Sequence, residues 1–455
     1  MKTCIPPVLI IFALVCFALV QNTQAISPPP DGGYPGGNTA EGQNALLSLT
    51  SGTYNTAVGL SSLLSLTGGS YNTGVGAATL ASNTAAENTA CGAGALWLNT
   101  TGRDNTATGA FALRVNTTGF RNTANGAFAL FSNTTGYQNT ANGGIALFYN
   151  TTGIWNTATG LAALHNNTTG SENTAVGAIA GYGITTASGN TAVGFSAGFR
   201  GDGGGNTAVG VDALFATTGS GNTAVGITAL FSPHTGNNNT AIGAGALYNA
   251  YTGDDNIALG NGAGSNLRTG DNNIYIYDPG IDPESNTIRI GTVGTQTATF
   301  IAGISGTAVT GTAVVVNSSG QLGVAASSAR FKDEIKPMNE ASEAILALKP
   351  VTFRYKPEID AKRAPQFGLV AEDVAKVNPD LVARDREGKP FTVRYDQVNA
   401  MLLNEFLKEH KKVEKLEANA ASQQKQIKAL TAGLQKVTAQ LEASKPAPQV
   451  VNNNQ

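Results

Sequence analysis

The sequence predicts a mainly β protein: a β-roll or solenoid rod, a β-rich neck, and a small α+β domain ending in a coiled coil. Three observations predict it. The motif Asn-Thr-Ala-x-Gly returns at a fixed spacing from Asn38 to Asn273. No lysine occurs between Lys2 and Lys332, after which charged residues become frequent. The last helical segment repeats apolar residues in heptads. A fixed short period marks a solenoid, and sustained heptads mark helices that wind on one another.

The chain opens MKTCIPPVLIIFALVCFALVQNTQA, one lysine followed by an apolar run and a Thr-x-Ala pattern ending at Ala25. Residues 1–25 are therefore expected to be a secretory signal, which places the mature protein outside the cell, secreted or on its surface. The run is short for a membrane span, so no transmembrane anchor is expected after signal removal. A Pro/Gly-rich linker follows at 26–37. Cys4 and Cys16 would leave with the signal, and Cys91 alone cannot form an intrachain disulfide. Cys91 occupies the repeat position of Val58 and Val176, where a small buried hydrophobe is expected. Residues 26–326 carry a net charge of −7 and residues 327–455 one of +4. Neither half has the concentrated basic stripe that nucleic-acid binding needs.

The repeats span 38–273. Fifteen leading asparagines give fourteen intervals, eleven of 17 residues and three of 16. A typical unit is NTATGAFALRVNTTGFR, residues 105–121. It is too short for a helix pair, and its fixed glycines oppose a long helix. Alternating small apolar and Thr positions suit two short strands joined by Asn- and Gly-containing turns. Each unit buries only a few side chains, with Ala107, Phe111 and Leu113 expected inside, so neighbours must share a core. At about 4.8 Å per strand, fifteen rungs make a rod roughly 70 Å long. These units resemble the head repeats of trimeric bacterial adhesins, whose Asn-x-x-Ala-x-Gly turns build a left-handed β-roll from three parallel chains.

Several motifs within the array are discounted as sites. The recurring Asn-Thr-Thr triplets are glycosylation signals in form, but their period fits turn ladders. GNGAGSN at 260–266 is a cheap match in a chain with 56 glycines. Arg200-Gly201-Asp202 is a three-letter match in one irregular repeat. Calcium-binding β-rolls need a regular Asp that these units lack, so no metal or cofactor is expected. A Thr-rich face suits ice or polysaccharide, and nothing in the sequence selects a ligand for the rod.

Residues 274–326 leave the period while keeping Val, Ile and Thr runs broken by Gly and Ser, which reads as a β-rich neck. An α+β domain is expected at 327–398: a helix over 339–348 with Asn339 as its cap, a strand at 350–356, a strand running into a helix at 366–377, and a strand at 391–398. A long helix over 399–442 places Phe406, Val413, Ala420, Ile427, Leu434 and Leu441 at heptad position a. Leu402, Leu416, Leu430 and Val437 stand at d, with Glu409 and Gln423 as polar interruptions of register-setting type. The tail 443–455 is Pro- and Asn-rich, a composition of disordered segments.

The residues Ser327-Ser328-Ala329-Arg330-Phe331-Lys332, followed by Asp333-Glu334-Ile335, carry a second resemblance. They are similar to the opening Ser-Asp-x-Arg-x-Lys signature of the peptidase S74 family, the C-terminal intramolecular chaperone domains of phage tailspikes and endosialidases. LKPVTFRYK, GLVAEDV and the terminal coiled coil follow in the family's order, so the resemblance covers about 327–442. Ser328 stands where the family has Asp. The resemblance implies a homotrimer whose C-terminal domain assembles its passenger and then cuts itself off at the Ala326–Ser327 bond. Ser327 would be the nucleophile and Lys332 its base, with Arg330 and Ser328 supporting. The chemistry agrees, since a serine hydroxyl needs a base and an amine serves only when neutral. Ser–Lys pairs are a known variant of triad logic. Two rivals remain: a non-cleaving surface adhesin whose domain only trimerises, and a carbohydrate-active fibre, for which the rod lacks the paired carboxylates of a glycosidase.

Overall fold

The computed structural model describes residues 34–444 apart from 303, 305–307, 318 and 386. The expected signal segment, most of the linker and the tail beyond 444 lie outside the described residues. The chain divides into two compact units, one ending at Ile301 and the other starting at Ala302.

The first unit is a solenoid around a single parallel sheet. Sixteen three-residue strands run from β1 (Thr39–Glu41) to β16 (Ile288–Ile290), each hydrogen-bonded to the next in sequence order. Registers match residue for residue, as in Ala107 opposite Ala124. The sheet continues past Asn273 through β15 (Ile274–Ile276) to β16, over residues whose period is already lost. Each rung holds one strand, where the sequence suggested two. The rest of the turn is an irregular backbone that passes three times through positive φ, for example at Phe111 (φ 59), Leu113 (φ 50) and Arg121 (φ 55). That conformation is uncommon for non-glycine residues and costs about 1 kcal/mol each. It persists because the amide freed at each step bonds a neighbouring rung: Leu113 N–H donates to the Ala129 carbonyl of the next rung at 3.0 Å, and Phe111 and Arg121 N–H donate to the Ala93 and Arg103 carbonyls of the preceding one.

The core is thin. Ala107, Ala112 and Leu113 are fully buried, and Ala and Leu columns repeat them along the solenoid. Phe111 is only half-buried and stacks on Phe128 of the next rung at 5.5 Å; Ala112 takes the core place expected for it. The positive φ at 111 and 113 turns the intervening residue inward instead. Cys91 is exposed, correcting the expectation of a buried thiol. In a three-residue strand the middle side chain points in, so Ala90 is buried while Cys91 faces out.

Two asparagine ladders hold the rungs together. Asn122 Nδ2 donates to Asn105 Oδ1 at 3.2 Å and to the Gly136 carbonyl at 2.9 Å, while the Asn122 N–H donates to Asn105 Oδ1 at 3.0 Å. Asn122 Oδ1 in turn accepts the N–H and Nδ2 of Asn139. The second ladder runs through Asn83, Asn99, Asn116 and Asn133, each Nδ2 donating to the preceding Oδ1. Threonine hydroxyls add a third column, as Thr117 Oγ1 donates to the Thr134 carbonyl at 3.0 Å. An aromatic column runs outside these: Phe131, Phe148, His165, Tyr182, Phe199, Phe215, Phe231 and Tyr248 stack at 5.0 to 5.4 Å.

From Gly42 to Gly260, glycine closes each strand because nothing else fits; after β15 the position is Tyr277. Gly126 has φ 139, and a Cβ there would lie 2.5 Å from the Gly143 carbonyl oxygen. At the last rungs, Gly264 stands where other rungs carry a core leucine, and the ring of Tyr275 fills the space. Glu284 and Arg289 form a bidentate ion pair beside it.

The second unit carries little core. A two-residue hairpin pairs β17 (Val315–Val316) with β18 (Leu322–Gly323). Further on, β19 (Val351–Phe353) pairs with β20 (Gln366–Gly368), and β21 (Val382–Arg384) with β22 (Pro390–Val393). Helix α1 (Ala371–Val377) follows β20, and α2 (Tyr395–Ala443) runs 49 residues. The segment Asn339–Ala347 forms a 3-10 helix preceded by Met338, so Asn339 does not cap it. Val374, Leu381, Val382, Val393 and Met401 are the buried apolar residues of this unit.

Replacing Asn122 by Ala strands the Asn105 and Asn139 partners and should lower stability by about 2 kcal/mol or more. The exposed neighbour Thr118→Ala should change it by less than about 0.5 kcal/mol. Urea denaturation of the two variants beside the parent checks this.

Candidate functional site

The residues singled out by the sequence lie together on one exposed stretch. Ala326 and Ser327 belong to no helix or strand, and both are exposed. Ser328 (φ −64, ψ 142) opens a one-turn 3-10 helix over Ala329–Phe331, closed by the Phe331 N–H on the Ser328 carbonyl at 3.0 Å. Lys332 returns to extended backbone (φ −129, ψ 132) with its N–H on the Ala329 carbonyl at 3.1 Å. The Arg330 guanidinium lies 4.5 Å from the centre of the Phe331 ring. The turn thus brings Ser327, Ser328, Arg330 and Lys332 into one short loop. Among the described residues, no hydrogen bond joins Lys332 to either serine, and its ammonium has no ion-pair partner.

The surroundings explain why that contact is missing in one chain. Phe331 is 62% exposed and Ile335 67%, so the loop has no apolar wall. Further along, Leu346, Phe367 and Phe391 are likewise exposed. Only Met401 of α2 is buried, and its heptad residues Leu402, Phe406, Leu416, Leu430 and Leu441 all face solvent. The loop holds the required groups without the dry environment.

Part of the unit is built to be rigid. Asn404 Nδ2 donates to the buried Ser342 hydroxyl at 2.7 Å, and that hydroxyl donates to Glu405. Lys408 pairs with Glu343 at 3.2 Å. The Tyr395 hydroxyl accepts the Leu369 N–H at 3.0 Å. These contacts lock the base of α2 onto the domain. Sequence reasoning missed them because they join residues more than 60 positions apart, or 26 for the tyrosine.

The discounted motifs of the solenoid find structural roles. Asn99, Asn116, Asn133, Asn150 and Asn167 of the Asn-Thr-Thr triplets are fully buried, with each Nδ2 donating to the preceding asparagine of the second ladder. The Arg200-Gly201-Asp202 triplet has its carboxylate committed to the preceding rung. Asp202 accepts the N–H groups of Thr185, Thr186 and Ala187 and both threonine hydroxyls, at 2.6 to 3.2 Å. It stands where two successive rungs have Ile184 and Gly201 in place of ladder asparagines. Desolvation pushes the Asp202 carboxyl upward, but those donors outweigh it and hold the group at about 2. Burial lowers the pKa of His234, which sits against Asn239 at 2.8 Å. Among the described residues no cluster of His, Cys, Asp and Glu is placed to hold a metal, and no helix is long and apolar enough to cross a membrane.

Comparison with known proteins adds one finding. Residues 327–383 match the family model Peptidase_S74, the chaperone of endosialidase. No curated protein and no solved structure matches the chain. The chain therefore joins a parallel β-solenoid to a segment of the S74 chaperone type, and the match begins at Ser327.

Because the folded Asp202 is held at about 2, below the ordinary 3.8, its contribution to stability is complete above pH 3.8. That contribution fades as pH falls through about 2. Acid titration followed by circular dichroism should show this limb in the parent. Asp202→Asn should lack it and be less stable at neutral pH.

Proposed function

We propose that this protein is an exported homotrimeric fibre whose C-terminal chaperone domain drives trimerisation and then severs itself at the Ala326–Ser327 bond. The observation that carries the reading is the S74 match beginning at Ser327, with the Arg330 and Lys332 positions of the signature intact. The apolar exposure of 327–444 supports the trimer. A domain with five buried apolar residues and a 49-residue helix showing its heptad seam needs partner chains to complete its core.

Assembly would supply what the isolated loop lacks. Partner surfaces packed over Phe331 and Ile335 would desolvate Lys332, and the adjacent Arg330 cation would further disfavour its charge. Neutral Lys332 then takes the Ser327 hydroxyl proton as Oγ attacks the Ala326 carbonyl carbon. The C–N bond breaks, the Ser327 nitrogen receives that proton, and Ala326 is left as an ester on Oγ. Water hydrolyses the ester, giving a carboxylate at Ala326 and restoring the hydroxyl of Ser327. Arg330 can also hold the carbonyl oxygen as its charge develops. Each chain is cut once. Losing the domain would leave the trimer kinetically trapped, since the rod would have no means to reassemble.

A second reading keeps the domain attached as a pure trimerisation unit of a surface adhesin. It is favoured by the absence of any Ser–Lys hydrogen bond in the single chain. Denaturing gels and intact mass separate the two. The parent should give fragments meeting at 326 and 327, whereas Ser327→Ala and Lys332→Ala should each give one uncut chain that still trimerises. An uncut parent would sink the cleavage and leave the adhesin. Leu430→Glu, in the α2 seam, should prevent both assembly and cleavage.

A further inference from the structure

One face of the solenoid carries no charge. The third residue of each strand faces outward, and from Val58 to Ile290 that column contains no charged side chain. The column two residues further on, from Leu60 to Asn261, contains none either. Only the first strand departs, with Glu41. The charges of the solenoid stand in other columns, such as Glu87, Asp104, Arg121 and Glu172, each preceding a leading asparagine. The uncharged face is exposed: Leu161 is 60% accessible, Phe195 54% and Ile227 58%. It runs about 60 Å along the sheet at a strand spacing of about 4.8 Å. At about 10 Å wide it offers on the order of 600 Å2, close to the roughly 800 Å2 each partner gives to a standard interface. Its exposed apolar residues, broken in the middle by threonine and asparagine, are of the kind that marks binding surfaces.

We propose that copies of this chain associate through this face, parallel and in register. Such an arrangement sets every residue of a column against its own counterpart. A charge there would face itself, and from Val58 onward there is none. The middle of the outward column is Thr108, Asn125, Asn142 and Thr159. Hydroxyl and amide side chains both donate and accept, so each can pair with its own copy. An apolar partner of another kind would leave them unsatisfied. The exposed heptad seam of α2 makes the same demand, since its knobs and holes are supplied by a second copy of itself. The proposal rests on the trimeric reading above, but the choice of face comes from the solenoid alone.

Cys91 lies in the outward column and is exposed, so the chain contains its own reporter. The test uses the full chain with Cys4→Ser and Cys16→Ser, leaving Cys91 as the one thiol. It is treated with a short bismaleimide at low protein concentration and run on a denaturing gel, while light scattering gives the assembled mass. Cys91 should yield covalently linked chains. A second version, Cys91→Val with Thr118→Cys, moves the thiol to a different exposed column and should stay uncoupled. Val193→Glu should lower the assembled mass. If the chain is multimeric by light scattering but Cys91 fails to couple, or Thr118→Cys couples equally well, the face is wrong and the oligomer stands. If light scattering finds a monomer, the trimeric reading falls with it.

Discussion

The solenoid depends on burying an asparagine amide that its own rung cannot satisfy. Asn105 makes its side-chain bonds to Asn88, to the Gly119 carbonyl and to both nitrogens of Asn122. A buried amide without partners costs about 1–3 kcal/mol, so an isolated rung is unstable twice over, through entropy and through its orphaned amides. Stacking converts that penalty into order along one dimension. It also explains the glycines. Rungs close enough for these bonds leave no room for a Cβ beside the Gly143 carbonyl, so the residue after each strand from β1 to β14 has no side chain.

The same constraint dictates how the array tolerates irregularity. Where Gly181 and Gly198 omit the core leucine and Ile184 and Gly201 omit the ladder asparagine, Asp202 supplies acceptors to three amides and two hydroxyls of the preceding rung. Where the period shortens after Asn273, Thr287 gives its N–H to the Asn273 side chain and Tyr275 fills the core. These substitutions give the exposed backbone amides new acceptors, although Asn167 Oδ1, whose ladder successor position is Ile184, has no hydrogen-bond partner among the described residues. A triplet such as Arg200-Gly201-Asp202 therefore records a repair within the rod, and its carboxylate is already occupied.

The second unit follows the opposite logic. Its few buried residues and its long exposed helix leave the apolar work unfinished within one chain. A serine and a lysine on an exposed loop form no reactive pair while water surrounds the ammonium. In the proposed assembly, partner chains finish the core and dry the loop together, so that cutting follows correct assembly. The rod, whose bonds run along its own axis, needs no partner to fold its rungs but offers an uncharged face on which copies can align.

Much of this was legible in the residues. The period of Asn38 to Asn273, the break at the first lysine after Lys2 and the heptads of α2 are chemical patterns, and they determined a solenoid joined to a mixed domain with a helical seam. The Ser327–Lys332 signature was readable as a motif for the same reason. Other features belong to three-dimensional geometry and were decided only there. Phe111 and Cys91 look like core residues, yet φ 59 at one and the strand's alternation at the other turn them outward. The single strand per rung follows from three positive-φ residues that no propensity favours, held because bonds to neighbouring rungs exceed their strain. Whether Lys332 meets Ser327 is not a property of six residues in a row. In the single chain the loop carrying them is exposed, and the contact is absent among the described residues.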